Sequence, residues 1–342
     1  MKKYLLLCAA SLISSVLLSG CINSSHNEKA KPLNVIEILS PEALQYLNPQ
    51  ASLDILGEGY AWSEGPLWID EGYLLFSDIP NNVIHKYTPG EGTSQYLARS
   101  GATNMFEHDD NGGSNGLLLD SNGQLVLLQQ GDRRVAVMKA PLATPSANYR
   151  TLAGDFQGSR LNSPNDAVLA IDGSIYFTDP AYGLMGGASD PRRELEYYGI
   201  FRLTSDGELI LLDDSVGAPN GIALSPDNKT LYVALSDREN PIWLAYDINP
   251  EDSSLSNKRV FFNANNSKQE NTDGVPDGMA VHSSGAIFAS APGGVWLFNQ
   301  SGKLLAKINT GRLTSNCALN TKEDYLYITA HDTLMGLKLT KR

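Results

Sequence analysis

One short pattern recurs six times along this 342-residue chain, and it limits the fold more than any other feature. Each unit leads with a polar residue and runs into a short apolar strand. It then turns on Gly, Asp or Asn and returns as a β-rich strand. The units begin at Glu64 (E-G-P-L-W-I-D-E-G-Y-L-L-F), Asn115 (N-G-L-L-L-D-S-N-G-Q-L-V-L) and Asn165 (N-D-A-V-L-A-I-D-G-S-I-Y-F). They continue at Asn220 (N-G-I-A-L-S-P-D-N-K-T-L-Y-V), Asp277 (D-G-M-A-V-H-S-S-G-A-I-F-A) and Asn316 (N-C-A-L-N-T-K-E-D-Y-L-Y-I). Successive leading residues are 51, 50, 55, 57 and 39 positions apart. Turn chemistry and β-propensity make each unit a hairpin. Further strands at 83–87, 200–203 and 295–298, with turn signals at 204–207 and 299–302, fill the remainder. Four strands per period of about 50 residues, six times over, predict an all-β, six-bladed β-propeller across residues 33–342. A β-sandwich with coincidental spacing is the competing architecture. Residues 33–58 precede the first unit and are expected to supply a strand that closes the ring against the last blade.

The repeat has a chemical consequence. If the units superpose, the six leading residues stand at the mouth of the central channel and point at its axis. They are Glu64, Asn115, Asn165, Asn220, Asp277 and Asn316. Converging carboxylate and amide oxygens suit a hard cation such as Ca2+ or Mg2+. For any one of these positions, Asn-Gly or Asp-Gly reads more simply as a turn dipeptide. Six at one register, two of them acids, favour the ring of ligands. The five histidines (His26, His85, His108, His282, His331) form no zinc-binding spacing. There is no G-x-S-x-G elbow and no phosphate-binding loop.

Composition excludes other classes. The 31 Gly and 17 Pro fit a globular chain of many tight turns. A formal net charge of −12 argues against nucleic acid, whose phosphates need clustered Lys and Arg. The N-terminus reads as a targeting segment over residues 1–20. Lys2 and Lys3 precede an apolar run too short for a membrane span, which ends Leu18-Ser19-Gly20-Cys21. That ending resembles the lipobox of bacterial lipoproteins, with an ordinary signal peptide as the alternative. The expectation is a membrane attachment through lipid on Cys21, a polar tether over 21–32, and a place in the cell envelope, at the outer membrane facing the periplasm. Cys8 leaves with the leader, so Cys317 has no internal disulfide partner and is expected to pack as a small hydrophobe.

The same units carry a family resemblance. W-S-E-G-P-L-W at 62–68, L-N-S-P-N-D-A-V at 161–168, A-P-N-G-I-A-L-S-P-D at 218–227 and V-P-D-G-M-A-V at 275–281 resemble the SMP-30/gluconolactonase/regucalcin family. The match runs over roughly residues 45–340. The resemblance implies a six-bladed propeller with a divalent cation in the channel, usually Ca2+, with Mg2+ or Zn2+ as other candidates. It implies Glu64, Asn165, Asn220 and Asp277 as metal ligands and Asn115 and Asn165 as substrate-binding residues. Asn316 follows only from the repeat. Where bacterial gluconolactonases often have an acid-His pair before Arg-Arg-Val, this chain has Gln129-Gln130-Gly131-Asp132, which leaves the sugar preference open.

The ring and the resemblance together lead to an expected lactone hydrolase with a small-molecule lactone as its partner. The cation would polarise the carbonyl and Asp277 would act as general base toward water. Direct attack by Asp277 is the variant of this mechanism. A phosphotriesterase or fluorophosphatase at the same site, or a non-catalytic calcium-stabilised binding propeller, are the alternatives. The stretch 181–198 is too long for a simple turn and reads either as a lid or as a surface insertion. Arg192 and Arg193 within it read as solvated.

Overall fold

The computed structural model describes residues 35–103, 112–268 and 272–340. The leader and tether assigned to residues 1–32 lie outside the described residues, as does His108. The chain enters with β1 (Ile36–Ile38), a single 3-10 turn (Pro41–Gln45) and β2 (Asp54–Glu58). Blade one is β3 (Ser63–Ile69), β4 (Tyr73–Asp78), β5 (Val83–Thr88) and β6 (Gly92–Ala98). Blade two is β7 (Ser114–Leu119), β8 (Leu125–Gln129), β9 (Arg134–Met138) and β10 (Tyr149–Ala153). A small ribbon, β11 (Asp155–Phe156) and β12 (Ser159–Arg160), leads to blade three: β13 (Ala167–Leu169), β14 (Ile175–Asp179), β15 (Gly199–Leu203) and β16 (Leu209–Asp213). Blade four is β17 (Pro219–Leu224), β18 (Thr230–Leu235), β19 (Ile242–Ile248) and β20 (Leu255–Asn263). Blade five is β21 (Met279–Val281), β22 (Ile287–Ala291), β23 (Gly294–Phe298) and β24 (Leu304–Asn309). Blade six is β25 (Asn316–Leu319), β26 (Tyr325–Ala330) and β27 (Thr333–Lys338). The six hairpin units thus form the inner strand pairs of a six-bladed propeller, as the repeat predicts.

Closure uses the N-terminal segment twice. β2 pairs antiparallel with β27, from Asp54 opposite Gly336 to Glu58 opposite Thr333, and makes the fourth strand of blade six. This is the expected closing strand, and it covers an edge that would otherwise be free. β1 is a further addition. It pairs with β24, Ile36 opposite Ile308 and Ile38 opposite Ala306, on the outside of blade five. Three residues are too few to give an alternating pattern, so the sequence does not reveal it.

The core is divided among the blade contacts. Between blades two and three, Val126, Leu128 and Val135 meet Phe177 and Phe201. Between blades four and five, Trp243 meets Trp296 and Phe298. Between blades five and six, Phe288 and Leu297 meet Leu326 and Ile328. Across the closure, Leu74 and Phe76 meet Tyr327 and Leu334. The middle strands are therefore covered on both faces, which explains why β8, β14, β22 and β23 are buried throughout. The outer strands β6 and β20 face solvent and carry mostly exposed residues.

Candidate metal and catalytic site

Every inner strand begins at the same end of the propeller, and the leading residues mark that end. In three blades the ladder slips at the strand head. The register shifts between Glu64 and Leu67, between Ser114 and Leu117, and between Pro219 and Ile222. A bulge there re-aims the side chain it carries. Asn165 and Asp277 stand just ahead of β13 and β21 instead.

The glycines that follow the leading residues explain the dipeptides. A Cβ on Gly65 would lie 2.1 Å from the Asn115 carbonyl oxygen, and one on Gly221 would lie 2.2 Å from that of Asp277. On Gly116 it would meet the Asn165 carbonyl at 2.8 Å. Of these three, only Gly65 has a positive φ, +50°. The E-G, N-G and D-G pairs thus serve close packing of one inner strand on the next leading residue, and not a turn.

Hydroxyls at the end of the second strand, or just after it, complete the ring. Ser77 Oγ donates to the Asn115 carbonyl at 2.8 Å and Thr178 Oγ1 to the Asn220 carbonyl at 2.7 Å. Ser236 Oγ donates to the Pro276 carbonyl at 2.6 Å and accepts from Asn220 Nδ2 at 2.9 Å. Each hydroxyl holds the leading segment of the following blade. Ser236 also commits the Asn220 amide nitrogen, which leaves its Oδ1 for the channel. Sequence reasoning missed these residues. Their signal was present, since Phe76-Ser77-Asp78, Phe177-Thr178-Asp179 and Leu235-Ser236-Asp237 repeat at the end of the second strand.

Glu64, Asn115, Asn165, Asn220 and Asp277 line one cavity of about 290 Å3. Trp62, Gln130, Tyr182 and Ser236 add polar and aromatic wall, and Ile79, Pro80 and Val275 add apolar wall. Asn316 does not join them. It lines a second cavity of about 220 Å3 together with Asp166. Its Nδ2 donates to Glu64 Oε2 at 3.4 Å and its Oδ1 accepts from the Cys317 amide at 2.8 Å. Asn316 therefore supports Glu64 from behind.

The electrostatics of the cavity are those of uncompensated acids. Burial pushes the Glu64 carboxyl up to about 8, against the Gly65 amide, which lowers it, and with nearby Asp166, which raises it further. Burial and then the charges of Glu64 and Asp166 drive Asp277 well above the usual carboxylate range. Burial raises Asp166 to about 6. Among the described residues no Lys, Arg or His lines the cavity. Asp277 Oδ1 and Asn115 Oδ1 are buried without a hydrogen-bond partner among the described residues. Buried polar atoms are rarely left so, and unpaired buried acids are costlier still. A divalent cation fits this set, because it would give the oxygens a partner and offset both charges. Among the described residues no three His, Cys, Asp or Glu side chains group as ligands, so the set is two carboxylates completed by amides. That chemistry is that of a hard cation.

The segment 181–198 reaches the cavity through Tyr182 and is hydrogen-bonded to its surroundings. Tyr182 lines the cavity and donates its hydroxyl to the Ala218 carbonyl at 2.9 Å. The Gly183 amide donates to Ser163 Oγ at 2.9 Å. Asp190 accepts from the Gly186 amide and from Arg192, at 3.0 and 2.7 Å, and folds the segment on itself. Arg193 lies 4.8 Å over the Tyr198 ring. Neither arginine lines the cavity, and both are partly exposed while making these contacts within the segment. The Gln129-Gln130 pair divides as well. Gln130 lines the cavity, whereas Gln129 accepts from Arg134 Nε at 2.6 Å and donates to the Ser100 carbonyl at 2.7 Å. Cys317 is buried and free, its thiol pushed up to about 12 by burial, in keeping with a packing role.

Comparison with known proteins agrees with the fold. The family described as "SMP-30/Gluconolactonase/LRE-like region" matches residues 62–332. A gluconolactonase from Zymomonas mobilis is 34% identical, over 96% of this chain and 93% of the relative. A solved gluconolactonase structure from Xanthomonas campestris superposes with a TM-score of 0.75 at 30% identity, covering 89% of this chain and 94% of the other. A calcium-binding regucalcin from Agrobacterium tumefaciens superposes with a TM-score of 0.64 at 15% identity, covering 85% and 96%, a likeness of fold.

Proposed function

The chain belongs to the SMP-30/gluconolactonase/LRE-like family, and from that premise and the cavity we propose that it is a metal-dependent hydrolase that opens a sugar lactone. The observation that carries the site is the pair Glu64, buried, and Asp277, half-buried with its Oδ1 fully covered, in one cavity with no cationic side chain among the described lining residues. Glu64, Asn165, Asn220 and Asp277 would hold the cation. When bound, Ca2+ supplies Lewis acidity at the lactone carbonyl. The wall of Trp62, Tyr182 and Gln130 offers ring faces and an amide to a polyol ring, with Asn115 Oδ1 free to accept a substrate hydroxyl. Asp277 takes the proton of the attacking water as the new carbon–oxygen bond forms. The ring oxygen then leaves the carbonyl carbon and takes that proton from Asp277, giving the open hydroxy acid and restoring the carboxylate. With a cation beside it Asp277 is ionised across neutral pH, so it is a weak base that is always available.

The test is hydrolysis of glucono-1,5-lactone by wild type and Asp277→Asn, with and without chelator. Loss of a general base removes about 100-fold to 10,000-fold in rate. Wild-type turnover by Asp277→Asn would dismiss Asp277 as the base. Phosphotriester turnover above lactone turnover would replace the substrate class. No turnover despite bound cation would leave a binding propeller. The lipid attachment at Cys21 is part of the same proposal and is tested separately. Radiolabelled palmitate should enter the wild-type protein and not Cys21→Ser, and equal labelling would refute it.

A further inference from the structure

We propose that Arg133 is the positioning residue of this cavity, its one guanidinium tying together the three segments that bring Gln130, Asn165 and Tyr182 to the wall. Arg133 is only 3% exposed and sits at φ +54°, a left-handed conformation that an arginine adopts at a cost. It closes the turn between β8 and β9, its amide donating to the Gln130 carbonyl at 3.3 Å. Its side chain leaves that turn for blade three. Nε donates to the carbonyls of Leu161 and Asn162 at 2.7 and 3.0 Å. Nη1 donates to the Arg192 carbonyl at 2.8 Å, and Nη2 reaches the Arg160 carbonyl at 3.4 Å. Glu194 stands 3.8 Å from Nη1.

Each contact is coupled to a cavity residue. Leu161 and Asn162 enter the stretch Ser163-Pro164-Asn165. Asp179 fixes that stretch by accepting the Asn162 and Ser163 amides at 2.7 and 2.8 Å. The Arg192 carbonyl belongs to the wall segment. Asp190 joins Arg192 to Gly186, and Ser163 joins Gly183 to the Asn165 stretch. Tyr182 lies inside that closed circuit. A planar fork with several directed N–H groups can meet four carbonyls on two segments, three at 160–162 and one at Arg192, and an ammonium cannot.

The KM and Ca2+ arms of the test rest on the proposed function, and hydrogen exchange with its rescue does not. Arg133→Gly suits the left-handed backbone and deletes the fork, and Arg133→Lys keeps the charge. In the full chain, both variants should lose hydrogen-exchange protection over 160–165 and 181–194 together. KM for gluconolactone should rise and Ca2+ affinity by calorimetry should fall, each by about tenfold or more, with kcat changed less. Millimolar methylguanidinium should restore protection, KM and Ca2+ affinity to Arg133→Gly and not to Arg133→Lys. Wild-type protection of both segments in Arg133→Gly would overturn the proposal. So would a lowered Tm with KM and Ca2+ affinity unchanged, which is the signature of a merely structural residue. If wild type opens no lactone, the functional reading falls, while exchange and its rescue still decide the role of Arg133.

Discussion

At the residue scale, the orientation of an amide decides whether it is a ligand or a prop. Asn220 gives its nitrogen to Ser236, so its oxygen is left for the channel. Asn316 gives its nitrogen to Glu64 and its oxygen to the Cys317 amide, and so has neither to offer. The two residues occupy the same place in the sequence repeat. Their difference comes from what stands beside them: a hydroxyl just after β18 in one case, a carboxylate across the closure in the other. Ser236→Ala should therefore free the Asn220 amide to rotate and weaken Ca2+ binding by about tenfold, the usual cost of losing a partner that orients a ligand. Calorimetric titration of the variant checks this. An unchanged affinity would mean that packing alone holds Asn220.

At the element scale, the ring depends on how closely one inner strand approaches the next. Gly221 has an ordinary negative φ, so Ala would be acceptable to its backbone. The added Cβ would nevertheless lie 2.2 Å from the Asp277 carbonyl oxygen and 2.7 Å from the Gly278 Cα. Both are main-chain atoms that cannot rotate aside. Gly221→Ala should push β21 outward, destabilise the protein by about 1–3 kcal/mol as overpacking does, and reduce lactone turnover more than Ala substitution at exposed Gly217, whose Cβ would meet nothing within 4 Å. Thermal melts and initial rates of the two variants test this, and a wild-type Tm for Gly221→Ala would show that the blades can part without cost. The hairpins, their order and the closing strand were all readable from period and turn chemistry. β1 was not, because three residues carry no period. The role of the glycines was not readable either, since Asn-Gly is also a turn dipeptide and only the packed ring separates the two uses.

For the whole molecule, the channel is where stability and function meet. Glu64 protonates at about 8 in the fold against an ordinary 4.5, and Asp277 is shifted in the same direction. Between those values the metal-free native state keeps protons that the unfolded chain gives up, so its stability falls as pH rises. A cation must displace the same protons, so its affinity should climb over that window. Melts with chelator should give a lower Tm near pH 8 than near pH 5.5. The Tm gain on adding Ca2+ should be larger near pH 8, because a tighter ligand stabilises more at fixed concentration. A larger gain at the lower pH would refute the assignment of the two acids to the cation site.

The linear chain determined the number of blades, the strand heads and the chemical types gathered there, because period, turn residues and side-chain oxygens are properties of the chain itself. Only the tertiary structure decided which oxygens face one cavity. Five of the six leading residues do, and the sixth turns to support Glu64. It also decided that 181–198 brings Tyr182 to the cavity and that Arg133 reaches across blades to the Arg192 carbonyl. These depend on contacts between residues far apart in sequence, and a local pattern carries no information about which neighbour will claim a given nitrogen or oxygen.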